Sequence, residues 1–510
     1  MVPDIYVQIV PPQNLVLNGV PSNVIGLVGT ASWGPVNQPA IAGSMAEYAQ
    51  TFGPVMARKF DMGTQVATAV QQGAQAFVCV RVTDSTDVAA TATIQTSGMT
   101  VTARYTGSLG NTIQITLASG SKASTAKVIV AMPGLLPEVY DNIAIPGDNA
   151  SWVNIAAAIN NGTGPMRGPS QLVVVTAGAS TNNPTLGGNA VTLASGTDGA
   201  TGVTATTLVG SDTLPRQGMY ALRSQGCSIG VLADSDTSTT WTTQAGFGLS
   251  EGIYMILTGP SGDTISNAVT TKSSAGLDSY GAKLMFGDWL YWQDQTNNVL
   301  RLVSPQGFTA GRLANLSPEQ SSLNKQLYSV VGSQKSGLPG SGLQNVYTDF
   351  DLQTLFENGI DVISNPQPGG TYWGVRCGHN SSSNAATNGD NYTRMTNYIA
   401  ATLSAGMGLF VGMVINTGLF QQVRATLLSF LGNLLQQGML GSTTGALPYS
   451  VQCDINDNPF SRTSLGYLQA DVQVQYQAIN EKFIINLEGG QTVQVTTQTL
   501  PSGQPSSGTN

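Results

Sequence analysis

NVIGLVGT (Asn23–Thr30) is an unbroken apolar run, the pattern of a strand buried on both faces of a sheet. The residues after it say what kind of sheet. Ser44-x-x-Glu47 is a capping box: the serine hydroxyl accepts from the backbone three residues on while the glutamate reaches back. A short helix therefore opens at Ser44 and runs through Phe52, with Gly53 at the C′ position. A second helix spans Thr64 to Gln72 and stops at Gly73, and AFVCVRV (Ala76–Val82) returns as a strand. Strand, two helices, strand is a compact α/β unit.

Outward from this unit the composition changes at Thr83. Thr, Ser, Ala, Gly and Val dominate to about Gly202, with short alternating stretches (Thr112–Leu117, Lys127–Ala131) between turn signals such as Gly110-Asn111 and Pro133-Gly134. This is a β-rich, sandwich-like insertion carrying one helix near Trp152–Asn160. From Leu214 the α/β rhythm resumes: a helix, strand Cys227–Ala233, helix Trp241–Leu249, strand Gly252–Thr258 and helix Thr264–Ala275, which argues for a parallel sheet. GAKLMFGDWLYW (Gly281–Trp292) reads as an aromatic core strand, with a ligand platform as the alternative. Thr354–Ile363 is a helix ended by Gly359 and running into a strand.

A polar Gly/Asn-rich loop, Asn365–Asn391, leads to helix Tyr392–Ser404, a short apolar strand Leu409–Ile415, and a helix capped by Asn416 or Thr417. Phe420, Val423, Leu427, Phe430, Leu431 and Leu434 share one face of that helix; Gln421, Arg424, Ser429 and Gln436 share the other. Beyond Tyr449 the period becomes that of strands. Val472, Val474 and Tyr476 alternate with Gln473 and Gln475, then Phe483, Ile485 and Leu487 repeat the pattern around Ile484, and Thr492–Gln498 offers a further strand. At the other terminus Ile5, Val7 and Ile9 alternate with Tyr6 and Gln8 before Pro11-Pro12 ends the ladder. Cys453–Tyr476 is expected to complete its own subunit. Lys482–Glu488 and Ile5–Ile9 are expected to be donated to the sheets of neighbouring subunits, which makes assembly the function.

Composition agrees. Only 9% of the 510 residues are charged, against about 25% in ordinary soluble domains, so the surface is largely neutral and polar and can pack closely without like-charge repulsion. The net charge of −8 and the scattered Lys and Arg include no basic patch, which excludes nucleic acid as a partner. Cys79, Cys227, Cys377 and Cys453 form no paired motif and read as small core residues of a reducing compartment. No signal sequence precedes the arm, and Ala405–Ile415 is shorter than the roughly 20 residues of a membrane span, so no membrane anchor is expected.

Catalytic signals are weak. The chain has one histidine, His379, and Cys377-x-His379 supplies two of the four ligands that a zinc site needs. There is no Gly-Lys dipeptide and hence no phosphate-binding P-loop. Gly340-Ser341-Gly342 starts a dinucleotide pattern that Asn345 breaks; it reads as a turn. Asp454, Asn456 and Asn458 begin a calcium-loop spacing that lacks its closing glutamate, so an Asx turn is expected. Asp234 and Asp236 read as capping or turn residues. No catalytic residue, cofactor or metal is assigned.

Six stretches in order resemble the contractile tail sheath proteins of bacteriophages: PDIYVQIV (Pro3–Val10) with VIGLVGTASWGPVNQPAIAGSMAEYAQTFG (Val24–Gly53); ARYTGSLGNTIQITL (Ala103–Leu117); LASGTDG (Leu193–Gly199); SPQGFTAGRLANLSPEQSSLN (Ser304–Asn324) with NGIDVISNPQPGGTYWG (Asn358–Gly374); Leu419–Gly441; and VQCDINDNP (Val451–Pro459). The chain departs from the family in its residues after Glu488 and its enlarged loop Asn380–Asn391. The resemblance implies a multidomain α/β plus all-β fold. It consists of an N-terminal arm (1–22), a discontinuous α+β inner assembly domain (23–92 and 366–477), an inserted β-sandwich-like domain (93–202), a central α/β subtilisin-like, non-catalytic domain (203–365), a C-terminal arm (478–498) and a disordered tail (499–510). It also implies a helical homopolymer around a tail tube protein, with baseplate and tail terminator proteins as partners. Such a polymer is assembled in the host cytoplasm, resides in the virion tail, and contracts to drive the tube through the host envelope. The helix Leu419–Gln437, through Gln421, Arg424 and Gln436, is the expected tube-facing element. The alternatives are the sheath of a related bacteriocin or secretion machine, and a hydrolase on the central domain, against which the lack of histidine there counts.

Overall fold

The computed structural model describes residues 17–165, 167–341, 347–485 and 487. The chain divides into two units, 1–477 and 478–510. In the first, NVIGLVGT supplies β1 (Ile25–Gly29), every residue of it buried. It lies in parallel between β3 (Phe77–Arg81) and β4 (Ile229–Leu232), with Ile25 opposite both Phe77 and Ile229. The sheet continues in parallel through β5 (Tyr254–Thr258), β6 (Ala282–Met285) and β7 (Ile360–Asp361). At its other edge is the antiparallel β2 (Pro39–Ala42), for an order β7-β6-β5-β4-β1-β3-β2. Both faces are covered, as a parallel sheet requires. One packs on α1 (Met45–Phe52), α2 (Met62–Gln71) and helix Gln306–Ala314. The other packs on helices Trp241–Glu251, Ile265–Ala275 and Asp349–Glu357.

This sheet corrects the expected division of the chain. β1 and β3 sit within the same sheet as the strands of 203–365, which were expected to form a separate domain. The local strand-helix-helix-strand pattern was sufficient to find β1 and β3 but carried no information on which later strands would flank them.

Local chemistry explains the helix limits. Ser44 accepts from Glu47 N (3.2 Å), while the Glu47 carboxylate takes the N–H of Gly43 (2.7 Å) in place of that of the cap residue. The second helix starts two residues before the expected Thr64 because Asp61 caps it, accepting from Thr64 N at 2.8 Å. Burial pushes the Asp61 carboxyl up to about 7, against hydrogen bonds from Thr64 and Met56 that favour its ionised form.

The insertion leaves after β3 and returns before β4. It has one sheet of Thr91–Ile94, Met99–Ala103 and Val173–Ala177 and another of Val191–Thr192, Gln114–Ser119, Thr125–Ala131 and Glu138–Ala144. The two share one core with helix Asp148–Asn161, through Trp152, Ile155 and Ile159. Trp33, from the loop after β1, is buried in this core. The buried Arg81 donates to the carbonyls of Gly34 (2.8 Å), Thr106 (2.6 Å) and Asp198 (3.1 Å), and Arg58 pairs with the Asp198 carboxylate. The insertion is thus fastened to the central sheet at several points.

Three further expectations change. Gly281–Trp292 is two strands in different sheets, β6 and Leu290–Asp294; the break falls at Gly287, which the carbonyl of Pro260 approaches so closely that no side chain fits. Phe286, Trp289 and Trp292 are nonetheless buried, as a core reading requires. The helix after Leu214 is a single 3-10 turn, Gly218–Leu222. Leu409–Ile415 is no strand: a 3-10 turn, Met407–Phe410, leads into irregular chain in which Gly412 takes φ +89°.

Candidate assembly surface

The C-terminal domain is built on α3 (Asp390–Gly406) and α4 (Thr417–Gln436), with a ladder of β8 (Tyr449–Gln452) and β9 (Asp471–Val474). The Asn416 side chain caps α4, accepting from Leu419 N at 2.9 Å. The face read from the sequence is the buried one: Leu419, Phe420, Val423, Leu427, Phe430, Leu431 and Leu434 pack with Met395 and Ile399 of α3, Val451 of β8 and Leu17.

The start of α3 is fixed to the central sheet by an enclosed ionic cluster. Lys283 of β6 lies 2.6 Å from Asp361 of β7 and 3.0 Å from Asp390, and all three side chains are buried. Asp361 also accepts from the backbone of Val362, Cys377 and Gly378, and Asp390 from Tyr254 (2.6 Å) and Ser322. Burial by itself would raise the Asp390 carboxyl, but Lys283, Ser322 and Tyr254 hold it below the usual carboxylate range. Burial would likewise lower the Lys283 ammonium, yet Asp361 and Asp390 hold it above its usual value. Arg394, one turn on, donates to the carbonyls of Leu316 and Ser317. With every carboxylate oxygen engaged and the cluster sealed from solvent, it fastens helix to sheet.

The ladder of β8 and β9 runs antiparallel, Tyr449 opposite Val474 and Gln452 opposite Asp471. Among the described residues it has two strands, so each presents an outer edge of the kind that accepts a further strand. Around it lies unusual apolar exposure: Val411 is 84% exposed, Val414 80% and Phe460 84%, with Leu409, Leu465 and Tyr467 also open. A groove of about 720 Å³ runs between this loop, α4 and β9, lined by Leu403, Met407, Leu419, Val423, Leu468 and Val472 among others. A contiguous apolar surface of this kind marks an interaction site.

The second unit is also apolar and open. Its described residues, 478–485 and 487, form no helix or strand, and Phe483, Ile484, Ile485 and Leu487 are between 72% and 90% exposed. The other expected arm residues, Ile5, Tyr6, Val7 and Ile9, and the strand Thr492–Gln498 lie outside the described residues. Gln421, Arg424 and Gln436 are on the open face of α4 as expected, but Arg424 also donates to the Val451 carbonyl (3.3 Å), which ties it to β8.

Elsewhere the polar motifs have structural partners. Asp454 accepts from Asn456 N (2.7 Å) in an Asx turn. Asp234 lies in a turn, as expected, and its buried carboxylate holds Phe60 N (3.2 Å) and Gln65 (2.9 Å), while Asp236 pairs with Lys59. All four cysteines are buried. Among the described residues no group of three His, Cys, Asp or Glu could hold a metal ion, and no helix is long and apolar enough to cross a membrane.

No protein-family model matches the chain and no curated protein matches it in sequence, so the comparison rests on structure. The sheath tail protein of Desulfitobacterium hafniense superposes with a TM-score of 0.59 at 14% identity, over 88% of this chain and 93% of that one. The chain has the fold of tail sheath proteins. The sheath tail protein of Listeria innocua agrees, with a TM-score of 0.60 at 14% identity over 87% of this chain and 91% of that one. The sheath fold extends further along the chain in the contracted sheath complex of the extracellular contractile injection system PVC, with a TM-score of 0.55 at 12% identity over 96% and 98%.

Proposed function

We propose that this chain is the structural subunit of a contractile tail sheath, polymerising as a helix around a tube and shortening to drive that tube through an envelope. The observation that carries the reading is the pairing, in one chain, of an open two-stranded ladder beside an apolar groove with a segment whose Phe483, Ile484, Ile485 and Leu487 lie exposed. In this reading these are a donor and an acceptor: the alternating side chains of Lys482–Glu488 from one copy enter the groove of another while its backbone extends the ladder. Ile5–Ile9 is the second donor. Each such link is weak for one free arm, because ordering a residue costs about 1–2 kcal/mol, and becomes lasting when many are held in a lattice.

No nucleoside triphosphate is needed in this scheme. The work of contraction comes from packing between subunit bodies, set at assembly and released on rearrangement. The open face of α4 with Gln421 and Gln436 is the surface we assign to the tube, and baseplate and terminator proteins would bound the polymer at its ends. A phage tail, assembled in the host cytoplasm, is the setting we favour. The 96% coverage by the PVC sheath favours, as a second reading, an extracellular injection machine.

Expression of the full chain followed by negative-stain imaging tests the proposal. Helical tubes are expected, and chains lacking residues 1–10 or everything from Ala478 should stay folded as discrete particles. Long regular tubes from either truncation would refute strand donation.

A further inference from the structure

The first described residues and the last residues of the first unit are moored on one helix. At the C-terminal half of α3, Leu17 is buried against the helix; a β-carbon added at Gly406 would meet Leu17 Cδ2 at 2.2 Å. One added at Gly19 would meet the Tyr398 hydroxyl at 1.9 Å. Val20 N–H donates to Thr402 Oγ1 (3.2 Å), whose side chain is itself buried. At the N-terminal half, Asn391 Nδ2 donates to the carbonyl of Gln477 (2.9 Å). There the Tyr392 ring meets Tyr476 edge-on at 5.8 Å, and Thr396 shares a hydrogen bond with the Tyr476 hydroxyl (3.1 Å). From Asn391 to Gly406 the helix rises about 22 Å. The helix in turn is fixed to the central sheet through Asp390 and to the chain after helix Gln306–Ala314 through Arg394.

We infer that α3 is a spacer: it holds the root of the N-terminal segment at one end and the root of the C-terminal segment at the other, and so sets the span between the two links that a subunit makes with neighbouring copies. The inference rests on the strand-donation reading above. Gly19 and Gly406 are positioning residues, kept without side chains so that Leu17–Val20 can lie flat on the helix. Released from that track, the N-terminal segment would still be present but would depart from no fixed point, and neighbouring copies would be joined without a defined repeat.

The test uses the full-length chain and two readouts, amide hydrogen exchange over residues 17–22 and electron-microscopic diffraction from assembled tubes. Gly19→Ala is expected to speed exchange at Val20 about tenfold, since exchange reports the population of the locally open form, and to give irregular or no tubes while thermal unfolding of the body is unchanged. Adding Tyr398→Leu makes room for the new methyl and should restore both slow exchange and the regular repeat, and Gly406→Ala should repeat the defect from the other side. Unchanged exchange and a wild-type repeat in Gly19→Ala, with tubes still abolished by deletion of residues 1–16, would overturn the spacer and leave strand donation standing. Regular tubes from that deletion would remove strand donation, and the spacer with it.

Discussion

Replacing Lys283 by methionine tests the enclosed cluster most directly. The ammonium sits between two carboxylates, 2.6 Å from Asp361 and 3.0 Å from Asp390, with none of the three reached by solvent. Methionine fills the space of the side chain but leaves two buried negative charges without their cation. Removing one partner of a buried pair costs about 3–5 kcal/mol, a large share of the 5–15 kcal/mol typical of a whole domain. The pH dependence should also change sign. In the native protein Asp390 is depressed, so its contribution is present above the unfolded carboxylate range and lost as pH falls through the folded value; Lys283 is raised, so its contribution holds below the unfolded lysine range and is lost as pH rises through the folded value. Between those limits the pair is fully formed. In Lys283→Met, the like charges and burial favour protonated carboxyls, so the variant should lose stability as pH rises through neutrality. Urea unfolding at pH 5 and pH 8 reads both effects. A loss below about 1 kcal/mol, or one equal at the two pH values, would refute the view that this cluster is an obligate ionic fastening.

Three further outcomes are expected. Val411→Asp with Val414→Asp should change unfolding free energy by no more than about 0.5 kcal/mol per site, because both side chains already face solvent, yet should abolish tube formation under the electron microscope. Asp61 holds its proton longer in the folded protein than in the unfolded chain, so it subtracts stability as pH rises from about 4 to 7. Asp61→Asn, which keeps an oxygen for Thr64 N, should flatten that part of the stability profile. Arg81→Met strands the buried carbonyl of Gly34, at a cost of about 1–3 kcal/mol, and releases the half-buried carbonyls of Thr106 and Asp198, and limited proteolysis should then cut first at the joints of the insertion near residues 83–90 and 198–204.

The parts of the fold legible in the sequence were those fixed locally. The cores of NVIGLVGT and AFVCVRV, IGLVG and FVCV, are apolar because both faces of the sheet are covered, and Ser44 and Asn416 cap helices through contacts three residues away. The buried stripe of α4 follows from its 3.6-residue period. What depended on distant residues was not legible. That β4 lies beside β1 is a pairing across the whole insertion, and Lys283, Asp361 and Asp390 are far apart in a chain with few charges. The signal for that cluster was present only as a lysine and an aspartate within otherwise apolar strands, AKLM and IDVI. Leu409–Ile415 misled for a different reason: its apolar side chains suit a buried strand, but Gly408 and Gly412 break it and its valines face outward. Alternation marked Phe483, Ile485 and Leu487 as an apolar series, whereas the groove of the C-terminal domain arises only when Met407, Val423 and Val472 are brought together.

The position of β1 also imposes an order on synthesis. Ile25 pairs with Ile229, so at 5–20 residues per second the ribosome delivers the second flank of β1 roughly 10–40 s after the first strand. Lys283 then has no complete counter-charge until Asp390 has emerged as well. The central sheet is therefore sealed only once the start of α3 has been made, and the open apolar loop around Val411 is translated after it. A nascent chain thus completes its central sheet before the apolar groove of its C-terminal domain can form, since Val423 and Val472 follow Asp390 in the chain.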